Sequence, residues 1–294
     1  MSLFLTQLMN GIGNGAVYAS LALALVLIFR TTGILNFAQG EMALYSTYLV
    51  WFFTDRNFPV WIAILLAMAI SFVGGALIER VVIRPVEKAS PLVLVIVTIG
   101  MFLAINSITQ VQFGSDAKQL PRAYPGKTWL PGNVQISADT LVLVGVLVLE
   151  CVVLYLILQR TKLGLAVRAV ASNPESSSLL GIPVGTMLML GWAFAAALGA
   201  LAGALAVPAS QPALSAASMQ SILVFSFAAA ALGGFDSTLG AVVGGLIVGV
   251  TQSLTTQYIH ALSDIVLVVP LGLILLVLLI RPSGLFGSRR VERV

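Results

Sequence analysis

Glu41, Glu150 and Asp236 are carboxylates set in strongly apolar sequence, and Asn36 and Gln39 add two amides just ahead of Glu41. Such groups can hold a proton, accept a ligand's N–H, or cap an interrupted helix. The stretches "NFAQGE", Asn36 to Glu41, and "LGGFDS", Leu232 to Ser237, break apolar segments. Irregular backbone at membrane depth persists only where protein or water satisfies it, and transporters often build substrate sites at discontinuous helices. Asn36, Gln39, Glu41 and Asp236 are therefore expected in a translocation pathway or its gate, with helix capping near the cytoplasmic interface as the competing role. Glu150 lies near the middle of "LVLVGVLVLECVVLYLIL". A charge there costs about 2.5 to 3.5 kcal/mol on insertion scales, so it must be paired, hydrated or protonated. Asn106, Gln110 and Gln252 are its candidate partners, in a structural hydrogen bond or in the pathway.

Other chemistry is excluded by what the chain does not carry. It has one histidine, His260, one cysteine, Cys151, and no HExxH, which leaves no acid, base and nucleophile set for a membrane hydrolase. His260 reads as a surface residue beside a short outer loop. A single cysteine gives neither an internal disulfide nor a multi-cysteine metal site, and no cofactor is expected on this chain. The "GKT" at Gly126 to Thr128 has Pro121 where the first glycine of a phosphate-binding loop belongs.

The elements that position these residues are membrane helices. With 59% hydrophobic and 9% charged residues, the composition reads as an all-α, polytopic transmembrane bundle in one domain, 1–294. Continuous rather than alternating apolarity excludes a transmembrane barrel. Apolar segments run at Leu8 to Phe29, Leu35 to Phe53, Val60 to Ile78, Pro91 to Gln110, Leu141 to Leu158, Thr186 to Val207, Met219 to Leu232, Leu239 to Ile259 and Ile265 to Ile280. The second and seventh are expected to be broken or re-entrant, giving eight or nine membrane segments. The first lacks the basic leader of a signal peptide and reads as a retained helix.

Nine crossings with the N-terminus outside place Arg30, Arg80, Arg84, Lys88, Arg160, Lys162, Arg168 and the tail arginines in the cytoplasm, against Arg56, Lys118, Arg122 and Lys127 outside. Eight crossings move only Arg30. Both topologies leave residues 160–185 and the C-terminus cytoplasmic, and the net charge of +4 reflects that orientation rather than nucleic-acid binding.

Within 160–185, "RAVASNPESSSLLGIP" is polar, short and capped. Asn173 suits an N-cap, Pro174 the first helical position, Glu175 the positive end of the dipole, and Gly181 before Pro183 a stop. The spacing predicts a helix of about seven residues, roughly 10 Å long, following the basic amphipathic piece "RTKLGLAVRAVA". Leu179, Leu180 and Ile182 give it an apolar patch to bury. It is either an interfacial loop helix or the knob that a cytoplasmic motor grips.

"GLAVRAVASNPESSSLLGI" resembles the coupling segment of the permease subunits of branched-chain amino-acid ABC importers. "TTGILNFAQGEMALYSTYL", "IERVVIRPV", "AALGGFDSTLGAVVGGLIVGV" and "RPSGLFG" fit the same family in order, across nearly the whole chain. One departure is "LGGFDSTLGA", where the family pattern "LGGIGSIPGA" has a proline and no Asp236. The resemblance implies a bacterial inner-membrane importer for leucine, isoleucine and valine, or for another small solute such as urea, an amide or an aromatic acid. It implies a second related permease, two cytoplasmic ATPases that carry ATP and Mg, and a periplasmic binding protein. Arg168, Asn173, Glu175, Leu179, Leu180 and Gly181 are then the expected ATPase contacts. A proton-coupled carrier relaying through Glu150 or Glu41 is the rival class.

Overall fold

The computed structural model describes residues 2–124, 126–131, 134–259, 265 and 267–287. Its helices are α1 (Ser2–Thr32), α2 (Gln39–Thr54), α3 (Val60–Ile78), α4 (Pro91–Phe113), α5 (Ala138–Arg160), α6 (Lys162–Ser172), α7 (Pro174–Leu179), α8 (Val184–Ser210), α9 (Gln220–Gly233), α10 (Thr238–Tyr258) and α11 (Val268–Ile280). A two-residue ribbon, β1 (Thr128–Trp129) with β2 (Ile136–Ser137), precedes α5. Each of the nine apolar stretches overlaps a helix, the second only from Gln39 onward and the ninth from Val268. Six described helices are long and apolar enough to cross a membrane: α1, α3 with its continuation to Val86, α4, α5, α8 and α10. At 16, 14 and 13 residues, α2, α9 and α11 are about 24, 21 and 20 Å long, shorter than a hydrocarbon core of about 30 Å. His260 and the tail arginines 289, 290 and 293 lie outside the described residues.

The chain divides into two compact units, residues 1–26, 124–147 and 221–294, and residues 27–123 and 148–220. In the first, glycine pairs at i and i+4 set the packing. A Cβ on Gly11 would stand 2.7 Å from Val250 Cα, one on Gly15 2.8 Å from Leu246 Cα, and one on Gly245 2.6 Å from Ala19 Cα. Gly11 and Gly15 of α1 thus mesh with Gly245 and Gly249 of α10, backbone against backbone, as small residues permit in a bilayer. Gly240 and Gly244 present a second glycine face of α10 to Gly233 and Ala229 of α9. Gly249→Leu is expected to cost about 3 kcal/mol or more, the upper end of overpacking, because it meets the backbone of α1 rather than a movable side chain. Gly74→Leu, at a position with nothing within 4 Å of an added Cβ, is the control. Detergent unfolding temperatures of the two variants check this; equal values would refute it.

The "LGGFDS" and "RPSGLFG" motifs meet in this unit. Gly234 turns the chain at φ 102°, Ser237 N closes the turn on Gly234 O at 3.0 Å, and the Ser237 hydroxyl caps α10 by accepting from Gly240 N at 3.0 Å. The tail satisfies carbonyls at the end of α9: Leu285 N donates to Leu232 O at 2.8 Å and Phe286 N to Gly233 O at 3.0 Å. The turn therefore forms without the family's proline.

In the second unit α8 is the central element, packed on α2 and α3, with α4 against α2. Its buried length from Gly191 to Val207 is mostly alanine and glycine, which lets the neighbours approach closely. A Cβ on Gly75 of α3 would lie 2.6 Å from the Trp192 carbonyl oxygen; Gly199 faces Gln39 and Ala43, and Gly203 faces Thr47. Ser46 of α2 and Ser71 of α3 share a 2.6 Å hydrogen bond. The outer faces carry exposed Leu65, Leu92, Leu103, Val111 and Leu156, apolar side chains with no aqueous rationale and a lipid one.

Candidate functional site

The second unit contains two of the arrangements expected from the sequence. The first is the interruption between α1 and α2. Residues 33–38 leave the helix, and Gly33 and the Asn36 side chain organise the turn: Gly33 adopts φ 71°, and Asn36 Oδ1 accepts from Ala38 N at 3.0 Å. The Asn36 amide donates to Gln39 Oε1 at 3.2 Å, and the Gln39 amide donates to the Ala195 carbonyl of α8 at 3.0 Å. Both amides are buried and engaged in holding the broken segment against α8.

Glu41 is 1% exposed and lies in the first turn of α2, directly after this interruption. Asn106 of α4 donates to Glu41 Oε2 at 2.8 Å and to the Ala216 carbonyl at 3.1 Å, while Gln110 donates to Asn106 Oδ1 at 2.6 Å. This corrects the expectation for Glu150: both hydrogens of the Asn106 amide are committed, so Asn106 serves Glu41. Gln252 accepts from the Tyr18 hydroxyl at 2.8 Å. Glu150 is itself buried, at 3% exposure, in the middle of α5. Asp236 lies in the α9–α10 turn of the other unit, where Ser237 rather than Asp236 provides the N-cap.

The second arrangement is the segment 160–185. Thr161 caps α6 by accepting from Gly164 N at 3.0 Å, and Gly164, Val167 and Val170 form the buried stripe of α6. Arg168 reaches back, donating to Gln159 Oε1 at 2.7 Å, a contact that fixes α6 on the end of α5. Asn173 is the N-cap of α7, accepting from Ser176 N at 2.9 Å. α7 is six residues long, one fewer than expected. Gly181 at φ 79° ends it with N–H bonds from Gly181 to Ser178 O and from Ile182 to Ser177 O, both 3.0 Å. Glu175 points to the exterior, and Leu179 and Leu180 are 88% and 80% exposed. Within this chain they bury nothing; the patch is presented outward.

A pair missed by the sequence reading sits beside this segment. Glu79 to Ile83 forms a π-helical turn in which Arg84 N bonds to Glu79 O. In a regular α-helix residues five apart are about 140° around the axis; the wide turn stacks them. Arg84 grips Glu79 through Nε at 3.1 Å and Nη2 at 2.6 Å, and Nη2 also donates to the Gly185 carbonyl of α8 at 2.6 Å. Glu79 is 1% exposed and Arg84 about one third. The signal was present in "IERVVIRPV" as a buried-face glutamate five residues before an arginine, a spacing that an α-helical reading rejects. The "GKT" stretch enters the β1–β2 ribbon, with Lys127 O accepting from Ala138 N at 2.8 Å, rather than a strand-to-helix loop.

The sequence profile of the family described as branched-chain amino acid transport system / permease component matches residues 7–278. The high-affinity branched-chain amino acid transport system permease protein LivH of Escherichia coli K12 is 32% identical over 316 residues, covering 99% of this chain and 98% of its own. BraD of Pseudomonas aeruginosa, named as a permease protein of the same kind of system, is 30% identical over 311 residues with the same coverage. A probable LivH of Methanocaldococcus jannaschii is 30% identical over 282 residues, 91% of this chain and 87% of its own. No solved structure matches. Correspondence from end to end, together with apolar helices interrupted where the ordered motifs lie, makes the chain a member of the branched-chain amino acid transport system permease family.

Proposed function

We propose that this chain is the translocation subunit of an ATP-driven importer that moves branched-chain or other hydrophobic amino acids across the bacterial inner membrane. The observation that carries the reading is its near full-length correspondence with permeases named for branched-chain amino acid transport. As a permease component it works with ATPase and binding-protein partners, and ATP hydrolysis with its Mg belongs to the ATPases. The specific assembly we put forward is this chain with a second related permease, two cytoplasmic ATPases and one periplasmic binding protein.

The residues 1–294 act as one permease domain, in which the six long helices and the shorter α2, α9 and α11 make eight or nine membrane segments, some of them broken or re-entrant, with residues 160–185 and the C-terminus in the cytoplasm. The distribution of basic residues supports that orientation. The outward Leu179 and Leu180, with Glu175 beside them on α7, form the knob that seats in a groove of the ATPase. Asn173 and Gly181 shape its two ends, and Arg168 anchors the preceding helix. Asn36, Gln39, Glu41, Glu150 and Asp236 are assigned to the pathway or its gate.

Isolation on a tag from native membranes tests the assembly, with mass spectrometry of what accompanies the chain. Two ABC ATPases and a second permease are the expected companions. Labelled leucine uptake should stop on ATP depletion and survive a protonophore. A chain that came out alone, with uptake following the proton gradient, would replace this reading with a proton-coupled carrier.

A further inference from the structure

We infer that Glu41 is the site at which the permease takes the ammonium group of its amino-acid cargo, an assignment that rests on the importer reading above. Glu41 Oε1 is buried and has no hydrogen-bond partner among the described residues, while Oε2 is held by Asn106 at 2.8 Å. No ion pair joins Glu41 to a lysine or arginine among the described residues. A carboxylate this deep in an apolar bundle is costly and is retained where it faces a pathway or a compensating partner.

The geometry discriminates between the ways of compensating it. A proton would neutralise the charge, yet it would turn one oxygen into a hydroxyl donor that still needs an acceptor. A cation bearing N–H groups neutralises the charge and satisfies Oε1 together. An ammonium does this with a charge-assisted hydrogen bond, stronger than a neutral one. The supporting residues are already locked: Asn106 is fixed by Ala216 O and by Gln110, so the carboxylate is oriented before any ligand arrives.

Position adds a second argument. Glu41 is in the first turn of α2, immediately after the broken segment, the kind of discontinuity at which transporters often place the groups that hold a substrate. One turn further along the same face is Tyr45, whose ring meets Phe113 of α4 at 5.8 Å between centroids; Tyr48 stacks on Phe113 at 5.2 Å. A charged end beside an aromatic wall matches the chemistry of an amino acid with an ammonium head and an apolar side chain.

Glu41→Gln separates charge from structure, because the amide keeps the shape and an oxygen for Asn106 but cannot pair with a cation. The importer carrying this variant, isolated from its own membranes and placed in liposomes with its binding protein, should assemble with its ATPases and unfold at the wild-type temperature. Its ATP-driven uptake of labelled leucine should fall at least tenfold. Uptake within twofold of wild type would overturn the assignment and make Glu41 a neutral structural group. Wild-type liposomes that take up no amino acid would overturn the importer reading instead, and this one with it.

If E41Q fails to assemble, the wild-type complex still decides. A hydrophobic carbodiimide labels buried carboxyl groups, and the labelled peptides can be quantified by mass spectrometry during ATP-driven turnover. Leucine should slow labelling of Glu41 at least threefold while leaving Glu79 unchanged. Equal labelling of Glu41 with and without leucine would overturn the proposal.

Discussion

Replacing Leu179 and Leu180 together by Asp is expected to strip the ATPases from the purified assembly and abolish ATP-driven uptake while leaving the permease itself intact. Both side chains are almost fully exposed in this chain, so nothing in its fold depends on them. Substitutions at such sites usually move stability by less than about 0.5 kcal/mol. Burial of a leucine in a partner groove contributes about 1.5 to 3 kcal/mol, and about 1.4 kcal/mol is tenfold in affinity. Losing two, and forcing two carboxylates against an apolar surface, should weaken docking at least about 100-fold. Glu175→Lys should have a milder, salt-dependent effect, because a rim charge acts mainly on association rate. The measurement is the stoichiometry of co-purified ATPase beside the unfolding temperature of the permease. Full ATPase retention would mean that α7 is an ordinary interfacial helix.

What the sequence disclosed and what it withheld divide along the range of the interactions. Local rules read well. Asn173, Pro174 and Gly181 mark the ends of α7 within a residue, since capping and a positive φ depend only on near neighbours. The i, i+4 spacing of Gly11 with Gly15 and of Gly245 with Gly249 is visible in the sequence, but only the structure shows that these pairs meet each other. Partner choice across the bundle was not legible. Asn106 was offered to Glu150 and serves Glu41, because an amide on one lipid-crossing helix can face several neighbours and helical periodicity does not say which. Leu179 and Leu180 read as a patch to be buried, at an interface or against a motor, and the chain buries them nowhere in itself.

Arg84→Ala carries the second large expected effect, and its sign follows from unequal burial. Removing the arginine leaves Glu79, 1% exposed, as an uncompensated charge, whereas removing the glutamate leaves an arginine with one third of its side chain exposed and able to hydrate. Breaking a buried pair costs about 3 to 5 kcal/mol; the exposure of Arg84 places this one at the lower end, about 3 kcal/mol. Glu79→Gln should cost less, and the double variant less than Arg84→Ala alone, which a double-mutant cycle on unfolding free energies would reveal. Equal costs for the two single variants would contradict the argument. The functional consequence is separate from stability. Arg84 also holds the Gly185 carbonyl at the first turn of α8, directly after the segment that carries α7, while its own turn continues α3. A displacement imposed on α7 can bias the membrane helices only through contacts that differ between states, and this guanidinium joins two of those helices at one point. Arg84→Lys tests that role: one ammonium cannot reproduce a bidentate grip on Glu79 together with a bond to Gly185. The lysine variant should keep the charge balance and most of the stability, and the ATPases of an importer that carries it should still hydrolyse ATP with a reduced yield of cargo. Uptake per ATP equal to wild type would leave Arg84 with a purely structural part.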